Sequence, residues 1–228
     1  AEDRQRFLIE KSDFTTSAPL KEAVNKALDR SGTTLDTIDS LDLYACFPCA
    51  VSIARKMLNL SENDHRALTL TGGLGFFGGP GNNYNLHAVV TLADQIASGR
   101  VASGLVTALG WFMHKHAAGV YSSRPTRPIE GCHDLKDQRA PLVGDPPLPV
   151  EEQVSGRGII ETYTIVYTKD QTPEYAVIYG RTPRHTRFIA QTRRQAGIFR
   201  QLATECCVGR TVTLNWDNSK QINIADIQ

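Results

Sequence analysis

Several groups of residues have types and spacings that could do chemistry. The first is the glycine-rich run Leu-Thr-Leu-Thr-Gly-Gly-Leu-Gly-Phe-Phe-Gly-Gly-Pro-Gly at 68–81. A phosphate-cradling loop needs Lys and Ser or Thr after its last glycine, where this chain has Pro80, Gly81, Asn82 and Asn83. Gly73, Gly75 and Gly78 miss the dinucleotide spacing, and no acidic residue opens a second strand about twenty positions later. The plain reading is a long loop whose glycines supply positive φ. The second group is Cys46-Phe47-Pro48-Cys49, placed after a strand and before a helix, where a helix N-terminus would lower a thiol pKa and allow redox work. Buried, inert thiols are the preferred reading, since no Trp precedes the pair. His114 and His116 lie two apart and would reach a metal with His133 or Cys132, although neutral surface histidines beside a turn are common. His87 reads as a packed, hydrogen-bonded residue rather than a base. Finally, Arg181, Arg184, Arg187, Arg193, Arg194 and Arg200 gather near Tyr179 and Phe188, as in a groove that stacks single strands. From residue 151 onward, however, ten Lys+Arg face only eight Asp+Glu, a weak balance for a nucleic-acid module.

The elements that must position these groups divide the chain in two. With 228 residues, 41% hydrophobic and 21% charged, the sequence is globular, and 25 Lys+Arg against 24 Asp+Glu leave +1, so charge argues for neither nucleic acid nor an anionic membrane. Residues 19–30 carry Leu20, Ala23, Val24, Ala27 and Leu28 at helical spacing, started by Pro19 and stopped by Gly32. Residues 40–46 read as a strand, 50–60 as a helix, and 84–97 as a long helix with few positions fit for water. Residues 101–111 read as a buried strand that pairs with 118–122 across a His-Lys-His-Ala-Ala-Gly turn. Prolines crowd 124–150 and mark a linker. Beyond it, 159–167, 175–180, 186–191, 211–216 and 221–225 read as five short strands of an antiparallel, OB-like barrel, with a short helix before the fourth. The expected fold class is an α/β layer with a mixed sheet and helices over 1–123, a linker over 124–150 and a small all-β barrel over 151–228.

The longest weakly polar stretch, 102–113, is a dozen residues, so no membrane span is expected. The start Ala-Glu-Asp-Arg has no initiator Met and no signal core, and reads as an excised or processed end. Five cysteines, two of them adjacent at Cys206 and Cys207, do not form a disulfide framework and indicate a reducing, cytoplasmic setting.

Three motifs in order carry a resemblance. Tyr44-Ala45-Cys46-Phe47 ends a strand, Gly72-Gly73 leads to Gly78-Gly79-Pro80 before an apolar helix, and Ala108-Leu109-Gly110 lies on a later strand. In this order they resemble the Asn-Glu-Ala-Phe or His-Asp-Cys-Phe, Gly-His-Pro and Cys-x-Gly motifs in the C-terminal half of thiolase-superfamily enzymes, with the sterol-carrier-type thiolases and acetyl-CoA acetyltransferase-like proteins nearest. The resemblance covers about 6–123 and implies an acyltransferase fold of lipid metabolism with loops around an acyl-CoA thioester. It implies a site built from Cys46, Phe47, Gly72, Gly73, Gly78, Pro80 and Gly110. The acid–base positions of the family hold Tyr44, Gly79 and Ala108 here, so ordinary thiolysis is not expected from this chain. Gly79 and Ala108 are expected to face one cleft. Coenzyme A thioester is the implied substrate or ligand, with no other cofactor and no metal, since Cys206-Cys207 cannot imitate the paired knuckles of the zinc ribbons that accompany such barrels. The apolar helix at 84–97 implies a partner, either the family's N-terminal half or a second copy, with more than about 2,000 Å² buried in all. The other reading is a non-catalytic interaction or scaffold module whose barrel binds a protein or single-stranded nucleic acid.

Overall fold

The computed structural model describes residues 1–125 and 142–227. They form two compact units: Ala1–Arg6 with Asp13–Pro146, and Phe7–Ser12 with Pro147–Gln228.

The first unit is a five-stranded mixed sheet with helices on both faces. Its strands are β1 (Glu2–Asp3), β2 (Ser40–Asp42), β3 (Ser103–Gly110), β4 (Lys115–Ser122) and β5 (Leu142–Val143), in the order β2-β3-β4-β1-β5. β2 runs parallel to β3, with Asp42 opposite Val106, and β3 forms an antiparallel hairpin with β4. α1 (Ala18–Ser31) begins with proline in its first turn and ends at Gly32, which takes φ 66° and donates its N–H to the carbonyls of Leu28 and Asp29. That conformation carries no steric cost for glycine. Leu20, Val24 and Leu28 of α1 pack with Leu41, Leu43 and Leu105, together with Ala54 of α2 (Pro48–Met57).

The opposite face carries α4 (Tyr84–Ala97), reached through the short α3 (Leu74–Phe77). Ala88 and Leu92 of α4 pack on Val106. A side chain at Gly104 would come within 2.4 Å of Leu92, so this glycine lets the helix approach the strand. Burial on α4 is one-sided: Tyr84, Ala88 and Leu92 are covered, while Leu86 and Val90 are exposed.

The second unit is a closed barrel of β6 (Gly156–Tyr167), β7 (Pro173–Arg181), β8 (Arg187–Thr192), β9 (Thr211–Asp217) and β10 (Ile222–Ile227), ordered β10-β8-β7-β6-β9. α5 (Ala196–Thr204) lies between the third and fourth of these strands. The barrel is not wholly antiparallel, because β10 pairs with β8 in parallel. A parallel pair needs a long crossover, and α5 with β9 supplies it. The ring of Phe188 fills the interior against Gly158 and Gly180, where a side chain would come within 2.5 and 2.3 Å of it.

Arg187, 1% exposed, fastens the chain's early segment to this unit. Its Nε donates to Glu161 Oε2 at 2.6 Å and its Nη1 to the carbonyl of Ile9 at 3.2 Å. Its backbone N–H donates to Pro149 O and its carbonyl accepts from Glu151 N. Residues 147–150, expected in the linker, therefore belong with the barrel, and so do 7–12, expected in the first domain. The rest of the expected linker at 126–141, with Cys132 and His133, lies outside the described residues.

The hairpin turn is also displaced from its expected place. It lies at Trp111 to His114, before Lys115, and Trp111 and Met113 take φ of 55° and 61° there. Gly119, expected in the turn, pairs within the ladder opposite Val106. The strand expected at 40–46 stops at Asp42, although Leu43 N still donates to Leu68 O. Among the described residues, no helix is long and apolar enough to cross a membrane.

Candidate functional site

The site is built at the carboxyl ends of β2 and β3, on the face that carries α4. Side chains alternate along a strand, so Asp42 shares the face of Val106 and Ala108, and Tyr44, just beyond β2, meets the ring of Tyr84 in α4 with centroids 5.0 Å apart. Ligands of open α/β sheets bind outside such strand ends. Three segments meet there. Tyr44 N donates to Thr107 Oγ1 at 2.9 Å, tying the end of β2 to β3. Leu74 N donates to Ala45 O at 3.1 Å, tying the glycine loop to the first motif. Asn85 Nδ2 donates to Thr107 O at 2.7 Å, bringing the first turn of α4 to the strand residue beside Ala108.

The structure thus brings Tyr44, Cys46, Gly73 and Ala108 to one end of the sheet. Gly73 takes φ 100° against the carbonyl of Ala45, a conformation that side chains resist. Gly72 and Gly78 also have positive φ. Gly79 is closed in: a side chain there would lie 2.7 Å from Leu74 Cδ1 and 2.9 Å from Tyr84 Cβ. Ala108 and Gly110 line a shallow cavity of about 300 Å³ with Lys115 and Ala117. A larger hollow of about 570 Å³ lies beside α2, lined by Ser52, Arg55 and Lys56, and holds none of the motif residues. Phe47 is exposed at the N-terminus of α2. Pro80 leads into α4.

Burial sets the chemistry of the titrating groups. It pushes the Cys46 thiol up, opposed in part by backbone N–H groups of Phe47 and Cys46 itself. This is the reverse of the lowered thiol a redox pair would need, because Cys46 stands before the helix and is half-buried, while Cys49 is exposed. Burial also raises the Tyr44 phenol, with Cys46 adding to the effect. Tyr84 is raised chiefly by burial too, against a lowering hydrogen bond with Thr71. At neutral pH these groups are hydrogen-bond donors, not bases.

His87, expected to be hydrogen-bonded, packs its ring on Phe77 with centroids 5.0 Å apart, and its Nδ1 is buried with no partner among the described residues. His114 and His116, expected at the surface, are both buried. His116 Nε2 lies 3.0 Å from Ser17 Oγ, because the strand face it occupies is covered by α1. In the barrel, Phe188 is interior and unavailable for stacking, because the paired glycines admit its ring. Arg181 and Arg187 both hold Glu161, Arg184 pairs with Glu151 and Arg193 with Asp226.

Sequence reasoning missed Asp42, Thr71, Tyr84 and Asn85. The readable signal was a lone carboxylate inside the apolar run Leu41-Asp42-Leu43. Asp42 is fully buried and its carboxyl is raised by that burial, against hydrogen bonds from Leu70 and Thr71. The folded state therefore binds this proton more tightly than the unfolded chain, and its stability falls as pH rises from the unfolded value of about 3.9 through the raised folded value. Asp42→Asn removes that loss. Denaturant titrations across pH 4–8 should show the stability of the variant gaining on wild type as pH rises; a constant difference would contradict the account.

Residues 141–219 match the family described as thiolase-like protein type 1 additional C-terminal domain. Among solved structures, a monomeric SCP2-thiolase like protein type 1 (STLP1) from Mycobacterium smegmatis is similar at 32% identity and a TM-score of 0.81, over 97% of this chain and 47% of that chain. The chain thus spans about half the length of that relative. An Ltp2–ChsH2(DUF35) aldolase aligns at 16% identity over 36% of this chain and 72% of that one, with a TM-score of 0.25 that carries no argument. No curated protein matches the chain.

Proposed function

The chain is thiolase-like, a mixed α/β layer with a small barrel, and from that premise we propose that it holds acyl-CoA thioesters without cleaving them. The observation that carries this reading is the meeting of Tyr44, the glycine loop and the Ala108 strand at one end of one sheet face. Burial raises Tyr44 and Cys46 further above neutral, so both stay protonated, while Gly79 and Ala108 offer no proton-transferring group. Donors of this kind bind a carbonyl oxygen. They do not relay the proton that thiolysis or a Claisen step requires, and loss of a placed acid or base typically costs about a hundredfold to ten-thousandfold in rate.

The exposed apolar side chains Phe47, Phe76, Phe77, Leu86 and Val90 call for a cover, and Phe76 is 89% exposed. We assign that cover to a second α/β half on the same polypeptide rather than to a second copy. The similar structure is described as monomeric and is about twice the span of this chain, which supports that choice. The barrel reads as OB-like, supported by its strand order and by the helix between its third and fourth strands. Its paired arginines and interior Phe188 do not favour a groove for single strands.

Isothermal titration of the full-length protein with acetyl-CoA and a long-chain acyl-CoA tests the reading. Saturable binding is expected, and Gly73→Ala should abolish it by straining the loop against Ala45. No saturable heat with either ligand would reject it.

A further inference from the structure

Asp42 is a fully buried carboxyl whose two oxygens are unequally served. Oδ2 accepts from Leu70 N at 2.8 Å, Thr71 N at 3.3 Å and Thr71 Oγ1 at 3.4 Å, whereas Oδ1 has no hydrogen-bond partner among the described residues. With two backbone N–H groups on it, Oδ2 acts as an acceptor, so the single hydroxyl proton of Thr71 is directed at it. Thr71 Oγ1 must then accept from its other neighbours. Gly73 N approaches it at 3.4 Å, and the Tyr84 hydroxyl at 2.8 Å becomes the donor. Tyr84 is itself buried, and its ring meets that of Tyr44 edge to face, with centroids 5.0 Å apart and planes at 80°. The Tyr44 hydroxyl makes no hydrogen bond among the described residues, so this ring contact is what orients it.

We propose that Asp42, acting through Thr71 and Tyr84, is a positioning residue that fixes the Tyr44 ring so that its hydroxyl donates to the carbonyl oxygen of the bound ligand. The inference rests on the thioester reading above for the identity of that ligand. A purely structural role, in which Asp42 only anchors the backbone at Leu70 and Thr71, would leave the far end of the chain of contacts without consequence. Tyr84→Phe separates the two, because it cuts the link to Thr71 while leaving the backbone anchor intact and an aromatic ring at position 84.

The test uses full-length protein labelled at the tyrosine ζ carbons, with the Tyr44 signal identified by its loss in Tyr44→Phe, and acetyl-CoA as the probe. Tyr84→Phe and Thr71→Val should each move or broaden the Tyr44 signal and weaken acetyl-CoA binding about tenfold, the effect of one lost hydrogen bond. Asp42→Asn, whose side-chain oxygen still accepts from Thr71, should preserve both. A Tyr44 signal unmoved in Tyr84→Phe and Thr71→Val would overturn the positioning role. A signal that moves in a protein that does not bind acetyl-CoA would uphold the positioning chain and overturn the donor role toward a thioester.

Discussion

Replacing Arg187 by Ala is expected to lower the stability of the barrel unit by about 3 kcal/mol, the lower end of the range for breaking a buried pair, because Glu161 keeps some access to water. The loss comes from several contacts at once. Glu161 Oε2 loses its donor, the carbonyl of Ile9 loses a hydrogen bond, and a fully enclosed side-chain volume is emptied. Arg187→Met keeps most of that volume and should cost less. Urea denaturation of wild type and both variants measures this. A shift below about 1 kcal/mol for Arg187→Ala would mean that the clasp on residues 7–12 is incidental.

Placing the acid–base groups of thiolases at Gly79 and Ala108 is expected to fail. Gly79→His combined with Ala108→Cys should yield no thiolysis and lower stability by about 1–3 kcal/mol, because the new Cβ meets Leu74 Cδ1 and Tyr84 Cβ well inside contact distance. Ala108→Cys alone, at a partly exposed strand position, should change stability by no more than about 0.5 kcal/mol. Thermal melts and a coenzyme A-dependent cleavage assay on the full-length protein decide the matter. A double variant as stable as its parent and able to cleave the thioester would show that Leu74 and Tyr84 leave room for an imidazole at position 79. Leu74 and Tyr84 leave no room for a side chain at Gly79.

How much of this was legible depended on whether the signal was local. The helices at 18–31 and 84–97 announce themselves by apolar spacing between Pro19 and Gly32 and between Tyr84 and Ala97, and all five barrel strands show as β-branched or aromatic runs. The two-residue strands β1 and β5 were not readable, because alternation needs more residues than they have. Residues 7–12 join the barrel through backbone carbonyls that accept from a distant arginine, a contact with no compositional trace. Phe188 looked like a stacking surface until the pairing placed Gly180 opposite it and opened the interior to its ring. Tyr44, Gly79 and Ala108 are singled out only by the motifs that flank them, and the packing of Tyr84 against Gly79 and the hydrogen bonds from Thr71 to Asp42 arise only from the fold. The helix at 84–97 reads as apolar nearly all round, whereas the sheet covers Tyr84, Ala88 and Leu92 and leaves Leu86 and Val90 exposed.

The central claim is that the site binds thioesters and does not cleave them. The most direct test follows free thiol in the same sample that shows binding. Full-length protein is mixed at stoichiometric concentration with acetyl-CoA, and released coenzyme A is quantified by chromatography, because the exposed thiols of Cys49 and Cys206 would react with a thiol reagent, while ligand occupancy is read by a tryptophan or calorimetric signal. The account predicts full occupancy with thiol release no faster than in buffer. A burst of coenzyme A approaching one equivalent of protein would reveal an acyl-enzyme, and would contradict it.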